Sequence, residues 1–362
     1  MRRHWQREPL LLRGAFPQLR DPLSPREVMA LSGSSDAVSR LVMRRGTRWR
    51  VEHGPIPASR YKQLPRRDWT VLVQDINHFS ADAAALLERF DFVPHARVDD
   101  VMVSYAVPGG GVGPHVDSYD VFLLQGRGRR RWQISRQEDH SFVPGLDLKV
   151  LRRFRAQQEW ILEAGDMLYL PPGVAHDGIA ETECLTWSIG LRAPSDAEIA
   201  AGFLDFLNEK PAMKGRYADP GAGPARHPAE IPASMVSHVG DALARAVRWS
   251  AADVRDFAGR YLSEPKQNAF FTAPARALSR TAFARRAALA GLVLDPRARL
   301  LFSGTMFYMN GEAERVPGEA RVALRRLADD RKLAGPLRLP AGFWDVAHAW
   351  YLQGFVHAGE KA

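Results

Sequence analysis

Apolar and polar positions alternate along ECLTWSIGLRAP (183–194), the two-residue period of a strand with one face covered. Other stretches of the first half share that texture. WTVLVQDI (69–76) and VDDVMVSYAV (98–107) are dense in β-branched and aromatic residues and predict strands. HVDSYDVFLLQG (115–126) and RRRWQIS (129–135) flank a Gly-Arg-Gly turn, Gly126 to Gly128, and predict a hairpin. EWILEAGDMLYLPPGVAHDGIA (159–180) predicts strand, turn, strand, a Pro-Pro-Gly turn and a further strand. Two helices interrupt the series. SPREVMALSG (24–33) has Ser24 placed to cap and Pro25 in the first turn. SADAAALLERF (80–90) starts at Ser80 or Asp82. Many short strands joined by Gly/Pro turns predict a sandwich or jelly roll.

Past Pro194 the period changes to that of a helix. DAEIAAGFLDFLNEK (196–210), ASMVSHVGDALARAVRW (233–249) and ADVRDFAGRYLSE (252–264) carry apolar residues at helical spacing, and the Pro/Gly-rich 214–232 predicts a linker. ARRAALAGLVL (284–294), GEARVALRRLADD (318–330) and FWDVAHAWYLQGFV (343–356) are further helix candidates. Between them 299–316 predicts strands turned at Asn310-Gly311, a hairpin dipeptide. Helices around one hairpin suggest a winged-helix module. The expected fold class is α+β: a jelly-roll domain over 1–194, a helical segment over 195–268 and a winged-helix-like domain over 269–362.

Composition adds three constraints. The hydrophobic fraction of 46% and charged fraction of 25% over 362 residues are those of an ordinary globular protein. The formal net charge is +9, with Arg far outnumbering Lys. A GC-rich coding sequence is the simpler source of that bias; attraction to RNA, DNA or a ribosome is the functional one. The single cysteine, Cys184, excludes an internal disulfide and a Cys-rich zinc site and reads as a small buried hydrophobe. The basic start MRRHWQREPLLLRGAF has too short an apolar run for a signal peptide, and no stretch is long enough to span a bilayer. A cytoplasmic protein is expected.

His115-Val116-Asp117 is the first element that carries chemistry. On a strand, residues i and i+2 point to one face, so imidazole and carboxylate approach one point. His176 lies beyond the Pro171-Pro172-Gly173 turn, which a jelly roll can bring against the earlier strand. Two histidines and a carboxylate on one face of a metal leave positions open for a chelating cosubstrate and dioxygen, the arrangement of non-haem iron(II) oxygenases. A lone HxD tripeptide is ordinarily a surface pair. Here it follows the Gly-rich PGGGVGP (108–114) and is matched downstream by GDMLYLPPGVAH, and the two together are specific. In the strand after Gly128, Arg130 shares parity with Trp132, and a buried arginine requires an anion. The distal carboxylate of 2-oxoglutarate supplies one by a bidentate contact, while a basic exposed strand remains open for Arg129 and Arg131.

HVDSYDVFLLQGRGRRRW with its preceding VMVSYAVPGGGVGP, the distal YLPPGVAHDG and the opening WQREPLLLRGAF resemble the bacterial ribosomal oxygenases of the JmjC class. The likeness covers most of the chain and is greatest to the arginine hydroxylases of ribosomal protein uL16 (L16). GDMLYLPPGVAH also fits the second cupin motif, except that Ala180 stands where asparagine often follows. The resemblance implies a double-stranded β-helix, a helical dimerisation segment giving a homodimer, and a winged-helix region. It implies iron(II) on His115, Asp117 and His176, the 2-oxoglutarate C5 carboxylate on Arg130, and O2-dependent hydroxylation at Cβ of an arginine of uL16. A guanidinium pocket needs acceptors and an aromatic face. Tyr105, Tyr119 and Asp120 are the candidates near the motif, Tyr119 sharing parity with His115 and Asp117, though each is also a normal core or rim residue. Ser188 is a candidate for the cosubstrate site by parity with Thr186. Three alternatives stand beside this: a histidyl hydroxylase of another ribosomal protein, a metal-free cupin binding module, and a nucleic-acid binder using the winged helix. The last is weakened by Asp329, Asp330 and Asp345 beside Arg325, Arg326 and Arg331.

Overall fold

The computed structural model describes residues 3–209, 216–220 and 229–359. It parts into two compact units, Met1–Ala193 and Pro194–Ala362. Most of the linker expected over 214–232 lies outside the described residues.

The first unit is built on two sheets. Its strands are β1 (Leu10–Leu12), β2 (Ser39–Arg45), β3 (Arg48–His53), β4 (Trp69–Val73), β5 (Val98–Ala106), β6 (His115–Val116), β7 (Val121–Gln125), β8 (Arg130–Ser135), β9 (Gln158–Leu162), β10 (Met167–Leu170), β11 (Ala175–Ala180) and β12 (Cys184–Leu191). An eight-stranded sheet runs β1-β10-β7-β12-β5-β4-β2-β3 and a four-stranded sheet runs β6-β11-β8-β9. This is the expected jelly roll, with two corrections. The stretch 115–126 is not one strand: β6 and β7 belong to different sheets. Gly126–Gly128 does not turn a hairpin either, because β7 pairs β10 and β12 whereas β8 pairs β11 and β9. Both segments have strand composition. Which sheet each joins depends on partners far away in the chain, which local pattern does not carry.

The faces of the large sheet differ. One packs Val71, Val101, Val103, Phe122, Leu124, Tyr169, Leu185, Trp187 and Ile189 into the main core. Helices cover that side: α1 (Pro25–Leu31) and α3 (Ala81–Glu88), with the short α2 (Ala58–Tyr61) between them in the chain. Ser24 caps α1 in a capping box with Glu27, and Ser80, not Asp82, caps α3. The other face looks into the barrel, where Val121, Leu123, Trp132, Ile134, Leu162, Leu168, Leu170 and Val174 form a smaller core. Cys184 is buried, as expected.

The second unit opens with α4 (Asp196–Asn208), α5 (Ala233–Ala246) and α6 (Ala251–Ser263). Then come α7 (Arg280–Ala290), β13 (Leu292–Leu294), β14 (Leu300–Ser303), β15 (Met306–Met309), β16 (Glu312–Arg315), α8 (Arg321–Asp330), β17 (Lys332–Leu333), α9 (Ala341–Leu352) and β18 (Val356–Ala358). β14-β15-β16 form a meander whose second turn is Asn310-Gly311, both with positive φ. The helix expected over 284–294 ends at Ala290, because Gly291 leaves helical space at φ +91° and Leu292–Leu294 joins the three-stranded sheet β17-β13-β18. The end of 343–356 is likewise strand. Short apolar runs such as LVL do not declare their period, and the sheet partners decide.

Candidate metal and cosubstrate site

β6 and β11 are hydrogen-bonded neighbours in which His176 stands directly opposite His115. Directly paired residues share a face. The two rings meet at a centroid separation of 4.2 Å. Asp117, just past the end of β6, brings its Oδ2 to 3.7 Å from His176 Nε2. Candidate donor atoms of His115, Asp117 and His176 all lie within 4.8 Å of one another, the one such group among the described residues.

Each imidazole is oriented by its own local backbone. His115 Nδ1 donates to the Gly113 carbonyl at 2.9 Å, and His176 Nδ1 donates to the Val174 carbonyl at 2.9 Å. Both carbonyls sit two residues upstream of the ring, where the Gly113-Pro114 and Gly173-Val174 bends expose them. A proton held on Nδ1 leaves the Nε2 lone pair as the available donor, the arrangement found behind metal-bound histidines. Burial, reinforced by the neighbouring His115, pushes the pKa of His176 down to about 4. It is therefore neutral at ordinary pH, and no proton has to leave before a cation binds.

Next to His176 on the same face lie the side chains of β8. Trp132 packs against Gly178 in the directly paired position, so close that a Cβ on Gly178 would meet the indole at 2.6 Å. Its ring lies 5.9 Å from that of His176 and 5.8 Å from the guanidinium carbon of Arg130. Arg130 is buried, donates from Nη1 to Ser104 Oγ at 3.1 Å, and has no hydrogen-bond acceptor for Nε or Nη2. Leaving a guanidinium dry and partly unpaired costs several kcal/mol unless an anion is provided. The donors present thus fit a cation at the histidines and a carboxylate on Arg130, with Trp132 as the wall between.

Ser104 was missed in the sequence. It is found by extending parity across the barrel: Ser104 pairs with Thr186, and Met102 with Ser188, so these four and Asp100 share the inward face. Ser188 is buried on that face. Two of the substrate candidates fall elsewhere. Tyr105, one residue out of phase with Ser104, joins the helix-side core and packs edge-on to Trp69 at 5.6 Å, so it faces away from the metal ligands. Asp120 is fully buried as a structural acceptor, taking bonds from Tyr169 Oη (2.6 Å), Arg97 Nη2 (3.0 Å) and Gln6 Nε2 (3.0 Å). Nearness in the chain placed both on the list, but a strand sends consecutive side chains to opposite faces. Tyr119 stays near the site, 38% exposed at the rim. Crowding of its phenol and the carboxylates of Asp117, Asp100 and Asp99 push its pKa upward. Arg131, opposite in parity to Arg130, pairs on the outside with Glu181 at 3.0 Å.

Comparison with known proteins agrees with this geometry. Residues 85–199 match the JmjC domain family, and residues 246–357 match the ROXA-like winged helix. The chain is 41% identical over 232 residues to the ribosomal protein uL16 3-hydroxylase of Escherichia coli strain K12, covering 64% of this chain and 62% of that one. It is 37% identical over 218 residues to a probable ribosomal oxygenase of Haemophilus influenzae, covering 59% of this chain and 54% of that one. The aligned part therefore spans less than two thirds of either relative. Solved structures extend the likeness. The crystal structure of Escherichia coli YcfD superposes with a TM-score of 0.85 at 33% identity, covering 98% of this chain and 96% of that one. Escherichia coli YcfD, a ribosomal oxygenase, in complex with cobalt and 2-oxoglutarate superposes with a TM-score of 0.82 at 32% identity over the same shares. With its fold, its two-histidine, one-carboxylate group and these relatives in agreement, this chain belongs to the JmjC-class ribosomal oxygenases.

Proposed function

We propose that the protein is an iron(II)- and 2-oxoglutarate-dependent oxygenase that hydroxylates Cβ of an arginine in ribosomal protein uL16. The observation that carries the oxygenase reading is the pairing, on one barrel face, of a two-histidine, one-carboxylate donor set with a buried guanidinium short of acceptors. His115, Asp117 and His176 would hold the iron, and Arg130 with Ser104 the C5 carboxylate of 2-oxoglutarate, with Ser188 on the adjoining wall. Iron(II) with 2-oxoglutarate and dioxygen supplies the oxidising chemistry that converts an unactivated C–H to C–OH as the cosubstrate becomes succinate and CO2.

The chain's own residues orient and shield. Nδ1 contacts fix both imidazoles, so the ligand set is preorganised. Trp132 and Ile134 keep water from the cosubstrate wall. Asp100 lies on the inward face and Tyr119 at the rim beside it, an acceptor and an aromatic face of the kind a guanidinium requires. The uL16 target rests on the named activity of the Escherichia coli relative.

The helical segment 195–268 is proposed as a dimerisation domain between the oxygenase domain 1–194 and the winged-helix-like domain 269–362. α5 supports this: among its described residues none is buried, and Met235, Val236, Val239 and Leu243 present an exposed apolar stripe at helical spacing. Val239→Glu/Leu243→Glu should shift the molar mass in multi-angle light scattering from dimer to monomer; an unchanged mass removes α5 from the interface. No helix among the described residues is long and apolar enough to cross a membrane, and a cytoplasmic site of action follows from the ribosomal substrate.

The deciding experiment is mass spectrometry of uL16 incubated with the protein, iron(II), ascorbate and 2-oxoglutarate, with His115→Ala as control. One added oxygen on an arginine, absent in the control, is the expected result. Turnover of 2-oxoglutarate with no oxygen on any ribosomal protein would keep the oxygenase and discard the target.

A further inference from the structure

The net charge is concentrated in one place. Residues 40–67 contain nine Lys and Arg against a single acid, Glu52, and so hold eight of the chain's nine net positive charges. A coding bias would spread arginine along the chain and does not account for this. In the structure the segment is the β2–β3 hairpin, α2 and the turn leading to β4. Arg45 and Arg48 face each other directly across the hairpin, an unfavourable like-charge pair. Glu52 is shared by Arg50 at 3.1 Å and Arg60 at 2.8 Å. Among the described residues Arg45, Arg48, Lys62, Arg66 and Arg67 have no acidic partner and are all exposed. The Asp68 carbonyl accepts from the Arg44 amide, which brings Arg66 and Arg67 beside the hairpin end. β3 is a sheet edge, and edges are commonly guarded by a charge or two. That explains Arg48 and Arg50, but not Lys62, Arg66 and Arg67, which lie off the strand.

The patch borders the metal site. Trp49, over which Arg44 stacks at 5.7 Å, lies against the approach loop to His115: a Cβ on Gly113 would meet its indole at 2.8 Å. A rim of this sign attracts a polyanion.

We infer that the β2–β3 hairpin and the 62–67 turn form a docking surface for the phosphate backbone of RNA, so that the ribosomal protein is engaged while it sits on RNA. This rests on the ribosomal-protein reading for its biological sense, though not for its test. RNA is favoured over a lipid surface because the exposed positions of the patch are guanidinium and ammonium groups with no exposed apolar anchor among them.

The test uses the full chain and a fluorescein-labelled RNA hairpin, with anisotropy titrations across a salt series. Affinity should fall linearly with salt on a log–log plot, by about 0.9 in slope for each phosphate neutralised. Arg45→Ser/Arg48→Ser/Arg66→Ser/Arg67→Ser changes four exposed side chains. It should lower that slope by about 3.6 and weaken binding more than about tenfold at moderate salt. The equally exposed pair Arg285→Ser/Arg286→Ser should leave both unchanged. In the quadruple variant, hydroxylation of free uL16 should match wild type and that of RNA-bound uL16 should fall severalfold. An unaltered slope, an equal loss in the control pair, or tighter binding to phosphatidylserine vesicles or polyglutamate than to RNA would overturn the assignment. Should wild type hydroxylate no uL16 at all, the functional reading falls while the anisotropy series still decides the patch.

Discussion

The four-stranded sheet presents His115, His176, Trp132 and Arg130 on its inner face, whereas the eight-stranded sheet opposite presents Ser104, Thr186, Ser188 and Asp100. On the proposed reading the small sheet would supply two of the three metal donors and the cation for the cosubstrate, and the large one hydroxyls and a carboxylate. Their outer sides differ as well. The large sheet buries its outer side under helices, where Tyr105 and Asp120 sit, while the outer side of the small sheet carries Arg131 paired with Glu181. A sheet that packs on both faces can place a polar group in either, and only its phase along the strand tells which. The difference teaches that a side chain's place at the candidate site follows face, and not nearness to a motif in the chain.

Substitutions on the two faces should separate cleanly. The largest effect is expected from His176→Ala, which removes a donor outright. Hydroxylation read by mass spectrometry should drop well beyond the roughly 10–100-fold typical of losing an outer partner of a metal ligand, with the circular dichroism of the fold retained. Residual turnover near wild type would take His176 out of the ligand set. Arg130→Met comes second. Losing one partner of a buried charge pair costs about 2–5 kcal/mol, so the KM for 2-oxoglutarate should rise by about 30-fold or more. An unchanged KM would pass the role to Arg129 or Arg131. Asp120→Ala acts on the opposite face. It strands the Tyr169 hydroxyl and Arg97, and should lower unfolding free energy by roughly 3 kcal/mol in denaturant titrations while the KM for 2-oxoglutarate stays put. A KM shift without loss of stability would return Asp120 to the site. Tyr105→Phe should do least, about 0.5 kcal/mol or less in stability and no change in turnover, since its ring keeps its contact with Trp69. A clear activity loss would contradict its placement.

What was legible in the chain followed from short-range rules. The grouping of His115, Asp117 and His176 was readable because β6 needs only an i, i+2 spacing to aim His115 and Asp117 together, and because a rigid Pro-Pro-Gly turn announces His176. Arg130 was readable by parity with Trp132 over three residues. Ser24, Ser80 and Asn310-Gly311 spelled out their caps and turn in local chemistry. Ser104 was not legible, since its meaning comes from Arg130 lying 26 positions along the chain and across the barrel. The segment 33–68, which holds the basic hairpin, declared no strands in its own pattern, and pairing with β3 and β4 made β2 a strand.

By itself, then, the sequence determined the grouping of His115, Asp117 and His176, the class of chemistry such a group fits and the succession of a β-rich and a helical half, because each rests on residue type and on spacings of a few positions. The tertiary structure decided which sheet each strand joined, which wall completed the cosubstrate site, which of Tyr105, Tyr119 and Asp120 stayed near the metal, and that the positive charge gathers beside it. Those depend on register between strands far apart in the chain, where a shift of one residue sends every side chain to the other face.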